Sequence, residues 1–294
     1  MNGTRRLLTF LAGWIALGAA TAQGQAVVPS GPPQVLKIER EWVKPGKSDA
    51  HDKLEAEYPK LAAKLQLPVH WLTMESETGP DQMWALVAYD SFDGWQKAEK
   101  LLADSPIFAA GAERVRGLDA ELLSRNDTLA AVFDETLSYR PEADWGKMQF
   151  YLVTTFQIRA GHDAEFLEIV KLTREAHVEA NIDEHWVVYR IISGAPTGTY
   201  LVFAPMKAMK ELDERDARHK PYLEALGKNG EKRLHELEAV AYERESEDVF
   251  AVNPNLSYVS KEWNAAEPGF WNPKPAAARP APRLKKMSAP PPKP

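Results

Sequence analysis

The sequence predicts an α+β protein made of two consecutive units, residues 35–140 and 148–260, each with the order β-α-β-β-α-β. Two observations support this prediction. The chain is similar to itself at a nearly fixed offset, and each unit runs through strand-type and helix-type hydrophobic patterns in the same order. Because each sheet has a face that must be buried, we expect the two units to pack face to face as one barrel-like pair.

The internal similarity covers most of both units. An offset of 115 residues aligns residues 35–108 with the second unit without a gap. The matched positions are Gly46 and Gly161, His70-Trp71 and His185-Trp186, Gly79 and Gly194, Leu86-Val87 and Leu201-Val202, and Pro106 and Pro221. After residue 108 an offset of 119 aligns Leu137-Ser138-Tyr139 with Leu256-Ser257-Tyr258. The four extra residues fall near Gly111 and Gly227, about one helical turn, so the pattern indicates a duplication.

In the first unit, residues 35–43 are mostly apolar and end just before Gly46, which is typical of a strand followed by a turn. Residues 48–66 carry leucines at helical spacing, with a kink expected at Pro59. Residues 69–76 and 83–90 form a predicted strand pair across the Gly79-Pro80 turn. A helical stretch over 92–124 and a last strand ending at Leu137-Ser138-Tyr139 complete this unit.

The second unit repeats the same succession. Residues 149–158 predict a strand, 162–180 an amphipathic helix, and 185–192 with 199–204 a strand pair across a turn containing Gly194. A helical stretch over 206–241 follows, and the last strand is expected to end at Leu256-Ser257-Tyr258. This order of elements, found twice, is that of the ferredoxin-like fold.

The ends of the first strands carry a resemblance to a known superfamily. Val43-Lys44-Pro45-Gly46 and Ile158-Arg159-Ala160-Gly161 each precede an amphipathic helix and a strand pair. This arrangement resembles the dimeric α/β-barrel superfamily, in its NIPSNAP-like and antibiotic-biosynthesis-monooxygenase-like branches, over residues 35–260. Ala160 departs from the pattern, which prefers proline there. The resemblance implies that one chain forms the barrel that relatives form as a dimer.

The N-terminal residues 1–22 have the pattern of a secretory signal. Arg5 and Arg6 precede an uncharged, mostly apolar run, which closes on the cleavage pattern Ala20-Thr21-Ala22. We expect cleavage after Ala22, with Ala26 as second choice, and an uncleaved N-terminal anchor as the alternative. Residues 23–34 then form a linker. No later segment is apolar enough to span a bilayer, so we expect an exported protein, periplasmic or extracellular.

Charge is unevenly distributed along the chain. All 42 acidic residues lie within residues 23–270, together with 28 basic ones, whereas residues 271–294 hold six basic residues and no acidic one. The acidic body excludes nucleic acid as a partner, because phosphate binding needs a basic face. The Pro-, Ala- and Lys-rich tail predicts disorder and could contact an anionic envelope surface, or it has no partner at all.

The repeated His-Trp pairs indicate where a pocket should be sought. Neighbouring side chains of a strand point to opposite faces, so only one member of each pair faces the barrel interior. We expect the more polar alternate set of these strands to face inward, together with side chains from the first strands. The resulting candidate ligand-binding residues are Arg40, Trp42, Trp71, Glu75, Tyr151, Trp186 and Arg190.

An aromatic cavity with few charges is typical of a small-molecule pocket. His70 and His185 are the candidates for proton transfer near neutral pH. The competing interpretation is that the His-Trp pairs are scaffold: the tryptophans plug the barrel and the histidines make buried hydrogen bonds.

The predicted function is therefore that of an exported protein of the cell envelope that binds a small molecule or a partner. The resemblance implies the alternative, a cofactor-free monooxygenase-like or isomerase-like enzyme acting on an aromatic or polycyclic compound; haem binding by a histidine is a third possibility. No cofactor and no metal site are predicted. The absence of cysteine excludes disulfides and zinc–sulfur sites, and His51-Asp52 and His162-Asp163 are interpreted as residues of helix starts.

Overall fold

The computed structural model describes residues 31–273, and its strands and helices follow the predicted order in both halves of the chain. The first half contains β1 (Val35–Val43), α1 (Ser48–Glu55), α2 (Glu57–Leu65), β2 (Trp71–Ser76), β3 (Gln82–Tyr89), α3 (Phe92–Ala103), α4 (Pro106–Asp119) and β4 (Leu123–Phe133). The second half contains β5 (Phe150–Ile158), α5 (Asp163–Glu179), β6 (Val187–Ser193), β7 (Thr199–Met206), α6 (Lys210–Ala241) and β8 (Tyr242–Val252). The expected signal segment 1–22, most of the linker 23–34 and residues 274–294 lie outside the described residues.

Prolines and one glycine decide where the predicted helices are interrupted. The helix expected over 48–66 breaks at Ala56, because the ring of Pro59 would clash with the carbonyl of Glu55 four residues earlier. The stretch expected over 92–124 divides into α3 and α4, with Pro106 at the first position of α4, where a missing N–H costs nothing. In the second half, α6 is interrupted at Gly227, with φ 64° and ψ 165°.

All eight strands belong to one closed barrel with the order β1-β3-β2-β8-β5-β7-β6-β4, and every pairing is antiparallel. The first half contributes the run β4-β1-β3-β2 and the second half the run β8-β5-β7-β6. The two runs meet at two seams, where β2 pairs with β8 and β4 pairs with β6. The predicted α+β barrel is thereby confirmed.

The helices cover the outside of this barrel. Ala62 and Phe108 of α2 and α4 share an apolar cluster on one side, and Ile169 and Leu234 of α5 and α6 share one on the other. Within residues 31–273, no helix combines the length and the apolar character needed to cross a membrane.

The C-terminal boundary differs from the prediction. The tail was expected to begin at Trp271, but two short helices follow the barrel, α7 (Lys261–Ala266) and α8 (Pro268–Trp271). Trp271 is only 6% exposed and its Nε1 donates a hydrogen bond to the carbonyl of Gly146 at 2.8 Å. Burial of a large aromatic side chain is favourable, so Trp271 packs against the barrel although the residues after it are rich in proline. The last strands also end earlier than expected, at Phe133 and Val252.

Candidate functional site

The barrel interior is identified by a single apolar cluster to which every strand contributes alternate residues. From β2 and β6 these are Leu72 and Met74, and Val187, Tyr189 and Ile191. The set expected to face inward, which contains Trp71 and Trp186, is therefore not the interior set, and this expectation is wrong. Both faces of these strands are covered, one by the barrel and one by the helices, so polarity does not distinguish them.

A cavity of about 430 Å³ lies at one end of the barrel, where β1 and β2 begin and β3 ends. Its wall is mainly apolar and aromatic, from strand residues and from segments outside the strands. The apolar and aromatic side chains of the wall include Leu36, Leu72, Trp145, Tyr151, Tyr189 and Phe203. Trp263 of α7 and Pro32-Pro33 also line it, so residues before and after the barrel help to close this end.

Polar side chains are a minority of the lining, and the charged ones, Asp90, Asp93 and Lys97, are exposed. The hydroxyl of Tyr189 donates to the carbonyl of Pro33 at 2.9 Å. The indole of Trp145 stacks on Tyr151 with ring centroids 6.3 Å apart and planes 5° apart. The Nε1 of Trp145 is buried, and among residues 31–273 nothing accepts a hydrogen bond from it. An unpaired buried donor costs free energy.

His70 is the predicted histidine that reaches the cavity. Its ring lines the wall and stacks on Tyr258 at 5.2 Å. Burial lowers the pKa of His70 below its usual value, so the ring is neutral at pH 7 and can accept a proton. His185, by contrast, lies at a half-exposed turn away from the cavity, with its Nδ1 2.7 Å from the carbonyl oxygen of Arg140.

Arg40 and Trp42 face the interior as predicted, but they lie at the opposite end of the barrel from the cavity. The guanidinium of Arg40 donates two hydrogen bonds to the carboxylate of Asp127, at 2.7 and 2.9 Å. Trp42 lies between Arg40 and Arg125, 5.1 and 4.3 Å from its ring centre. Between this polar end and the cavity lies a layer of side chains with 0% exposure, formed by Ile38, Met74, Leu129, Leu201 and Phe250. The structure therefore brings Tyr151 and His70 together and keeps Arg40 and Trp42 apart from them.

The repeated tryptophans fasten the two seams of the barrel. Trp71 donates from Nε1 to the carbonyl of Leu256 at 2.8 Å, and Trp186 does the same to Leu137 at 3.0 Å. Trp71 packs with Tyr258 and Trp186 with Tyr139, at centroid distances of 5.3 and 4.7 Å. Each His-Trp pair of one half is thus held by the Leu-Ser-Tyr triplet of the other half. The repeated tryptophans act as scaffold, although Trp71 also reaches the cavity rim.

The remaining predicted residues lie on the outer face of the barrel. Glu75 accepts a hydrogen bond from Asn253 at 2.8 Å, and burial, with the nearby Asp52 carboxylate, raises its pKa to about 7. Arg190 is exposed. Neither lines the cavity. Sequence reasoning missed Trp145, which lies in the connection between the halves, where no periodic pattern marks a site.

A second cavity, of about 550 Å³, lies between the outer face of the second half and α5 and α6. Some of its charged groups are paired with one another, whereas the buried Nε of Arg218 has no hydrogen-bond partner among the described residues. His177 has its Nδ1 2.8 Å from the carbonyl of Thr173 and its Nε2 3.2 Å from Glu184, which also accepts from Arg215. Burial would raise the pKa of Glu184, but these two partners outweigh it and hold the pKa below its usual value.

Comparison with known proteins gives a fold but no family assignment. No family model matches the sequence, and no curated protein matches it. Among solved structures, an anthrone oxidase-like protein is 12% identical, with a TM-score of 0.52 over 79% of this chain and 96% of that one. A proposed monooxygenase from Fusobacterium nucleatum is 12% identical, with a TM-score of 0.45 over 75% and 93%.

An uncharacterized NIPSNAP domain protein from Burkholderia xenovorans is 16% identical, with a TM-score of 0.29 over 34% of this chain and 95% of that chain. At such identities the likeness shows the fold alone. The α+β barrel fold that the predicted resemblance implies is therefore confirmed.

Proposed function

We propose that this chain is an exported protein that binds an aromatic or polycyclic small molecule in the barrel cavity. The observation that carries the proposal is a cavity of about 430 Å³ with an apolar wall and one buried indole N–H without a partner among the described residues. Small-molecule pockets typically have this volume and combine apolar walls with a few convergent polar groups.

The ligand would lie with its rings against the stacked pair of Trp145 and Tyr151 and against the apolar strand residues. An oxygen of the ligand would accept the hydrogen bond that Trp145 Nε1 offers. Binding would bury apolar surface, which supplies most of the free energy, and the hydrogen bond would fix the orientation.

The same proposal includes the architecture and the location. The barrel would consist of two ferredoxin-like copies, residues 35–140 and 148–260, and the equal strand order and the reciprocal seams support this. Export is supported by the sequence of residues 1–22, and the basic tail would contact an anionic surface of the envelope.

Turnover of the bound compound is the second candidate, and His70 is the observation that favours it. A neutral imidazole at the cavity wall could take a proton from an acidic C–H or O–H of a bound ring compound. The solved structure with a TM-score of 0.52 is named anthrone oxidase-like, and an anthrone is a three-ring ketone with such a C–H. This chain would then act as a cofactor-free monooxygenase or isomerase.

Binding is tested on protein recovered from the periplasmic fraction, where an N-terminus at Gln23 is expected. Titration with a panel of three-ring ketones and phenols should quench tryptophan fluorescence. We expect Trp145→Phe to weaken binding about five- to tenfold, because it removes one hydrogen bond and keeps the ring. Trp186→Phe, whose N–H already has a partner outside this cavity, serves as the control. Equal affinities of wild type and Trp145→Phe would contradict the proposed site.

Turnover is tested in the same samples by oxygen consumption and product analysis. His70→Ala should abolish turnover while ligand still binds, and His185→Ala should leave it unchanged because that ring lies away from the cavity. If no bound compound is turned over, the proposed enzyme activity is contradicted and the proposed binding function is unaffected.

A further inference from the structure

Four ionisable side chains converge on the outer face of the first half, away from the barrel cavity. Glu41 extends from β1, His51 and Glu55 from α1, and Asp119 from the end of α4. One ligand-type atom from each lies within 4.8 Å of all the others. The Nε2 of His51 is 3.0 Å from Glu41 Oε2 and 3.5 Å from Asp119 Oδ1.

Two of these groups are buried and incompletely paired. Asp119 is 4% exposed and its Oδ1, which points at His51, has no hydrogen-bond partner among the described residues. His51 is 0% exposed. A buried carboxylate oxygen without a donor is unfavourable unless a cation compensates it.

The matching place in the second half has apolar residues at three of the four positions, whereas Asp119 matches Glu238 at the offset of 119. The positions 115 residues after Glu41, His51 and Glu55 are Phe156, Phe166 and Val170. Phe156 and Phe166 contact each other with ring centroids 5.7 Å apart, and Phe166 is 3% exposed. The same junction of strand and helix is therefore filled by apolar side chains in one half and by three ionisable ones in the other.

We propose that Glu41, His51, Glu55 and Asp119 bind one divalent transition-metal cation. Metal–oxygen and metal–nitrogen bonds of roughly 2.0–2.2 Å place opposite ligands about 4.4 Å apart, which fits the spacing of this cluster. Three carboxylates and one imidazole suit Mn²⁺ and its neighbours, because carboxylates favour Mn²⁺ and imidazole favours the later metals. His51 binds through Nε2.

Asp52 supports this arrangement from behind the histidine. Its Oδ1 lies 3.7 Å from His51 Nδ1, the nitrogen that faces away from the cluster. Histidines that bind metals commonly donate their other ring N–H to a carboxylate, which fixes the tautomer and the ring orientation.

Carboxylates crowded together at low exposure repel one another, and a divalent ion among them would remove that repulsion.

The test uses the full mature chain after treatment with EDTA. Mn²⁺ is titrated, and the electron paramagnetic resonance signal of free hexaaqua Mn²⁺ reports binding. We expect one Mn²⁺ per chain, a higher thermal midpoint with added Mn²⁺, and a pulsed resonance spectrum with coupling to one imidazole nitrogen. Displacement of Mn²⁺ by Zn²⁺ at a one-to-one ratio also supports the site.

Glu55→Gln and Asp119→Asn should each weaken Mn²⁺ binding at least about tenfold, since each replaces a charged ligand by a neutral side chain of similar shape. Glu113→Gln, on the exposed side of α4, should leave it unchanged. If both ligand variants fail to fold, the nitrogen coupling in the wild-type chain decides instead. The proposal is overturned if the wild type binds no Mn²⁺ at about 1 mM, if the coupling is absent, or if both folded variants bind as the wild type does.

This metal site is independent of the proposed ligand in the barrel cavity, because none of its four residues lines that cavity. Loss of Mn²⁺ binding would therefore leave the fluorescence titration of the cavity unaffected.

Discussion

Two serines carry the same role at the two seams of the barrel. The Oγ of Ser138 accepts a hydrogen bond from the backbone N–H of Val188 and donates one to the carbonyl of Asp134. The Oγ of Ser257 accepts from the N–H of Thr73 and donates to the carbonyl of Asn253. Both side chains are buried. Each serine thus satisfies a backbone donor of β2 or β6 beyond the reach of the strand pairing.

We expect Ser138→Ala and Ser257→Ala each to lower the free energy of unfolding by about 1–3 kcal/mol, because each leaves a buried N–H unpaired. Urea denaturation measures this. Ser124→Ala, at an exposed site where the hydroxyl donates to Trp42, should change stability by less than about 0.5 kcal/mol. Losses of unequal size at the two seams would contradict their equivalence.

The residue types at the seams could be predicted, but their orientation could not. The repeats of His-Trp and Leu-Ser-Tyr are visible in the sequence, and the competing scaffold interpretation of Trp71 and Trp186 describes what the structure shows. The choice of face failed because Leu72 packs inside the barrel while Trp71 packs under the helices. Alternation reveals a face only when the other face meets water.

At the scale of elements, α6 contains one position that only glycine can occupy without backbone strain. Gly227 has φ 64° and ψ 165°, a conformation outside the regions open to other residues. It interrupts the helix near the place where the alignment of the two halves slips by four residues. The sequence predicted both the helical stretch over 206–241 and the position of this slip, but it could not show that Gly227 adopts a non-helical conformation inside α6.

We expect Gly227→Ala to destabilise the protein by about 1–3 kcal/mol through backbone strain alone, since an added Cβ would meet nothing within 4 Å. Gly117→Ala in α4 has equal space but a helical environment, and should stabilise by about 0.5–1 kcal/mol. Thermal denaturation of both variants measures the contrast. Two shifts of the same sign would refute the explanation.

At the scale of the whole molecule, segments outside the strands close the cavity end of the barrel. Trp271 belongs to the interior cluster and ties α8 to the connection between the halves through the carbonyl of Gly146. The sequence did not reveal this, because Trp271 and Trp263 stand in a segment without periodicity that borders a Pro-rich tail. Closure of the barrel could not be predicted from the strand sequences either, because each seam consists of only three or four paired residues.

We expect Trp271→Ala to cost about 3–5 kcal/mol, as large aromatic truncations in a core do. Because Trp271 packs on Trp263 of the cavity wall, the change should also increase binding of a hydrophobic dye. Phe92→Ala, at a side chain that is 45% exposed, is the matched control and should have a much smaller effect. Unchanged stability and dye binding in Trp271→Ala would show that α8 does not close the barrel.

The seam between β2 and β8 joins residues that lie far apart in the chain. Trp71 bonds to Leu256, 185 residues later in the chain, whereas the other seam joins β4 and β6 after a much shorter separation. The edge of β2 therefore remains an unpaired, adhesive strand until nearly the whole body has been made. Contacts of such long range form slowly. Until β8 is available to pair with β2, such an exposed edge favours aggregation with other chains.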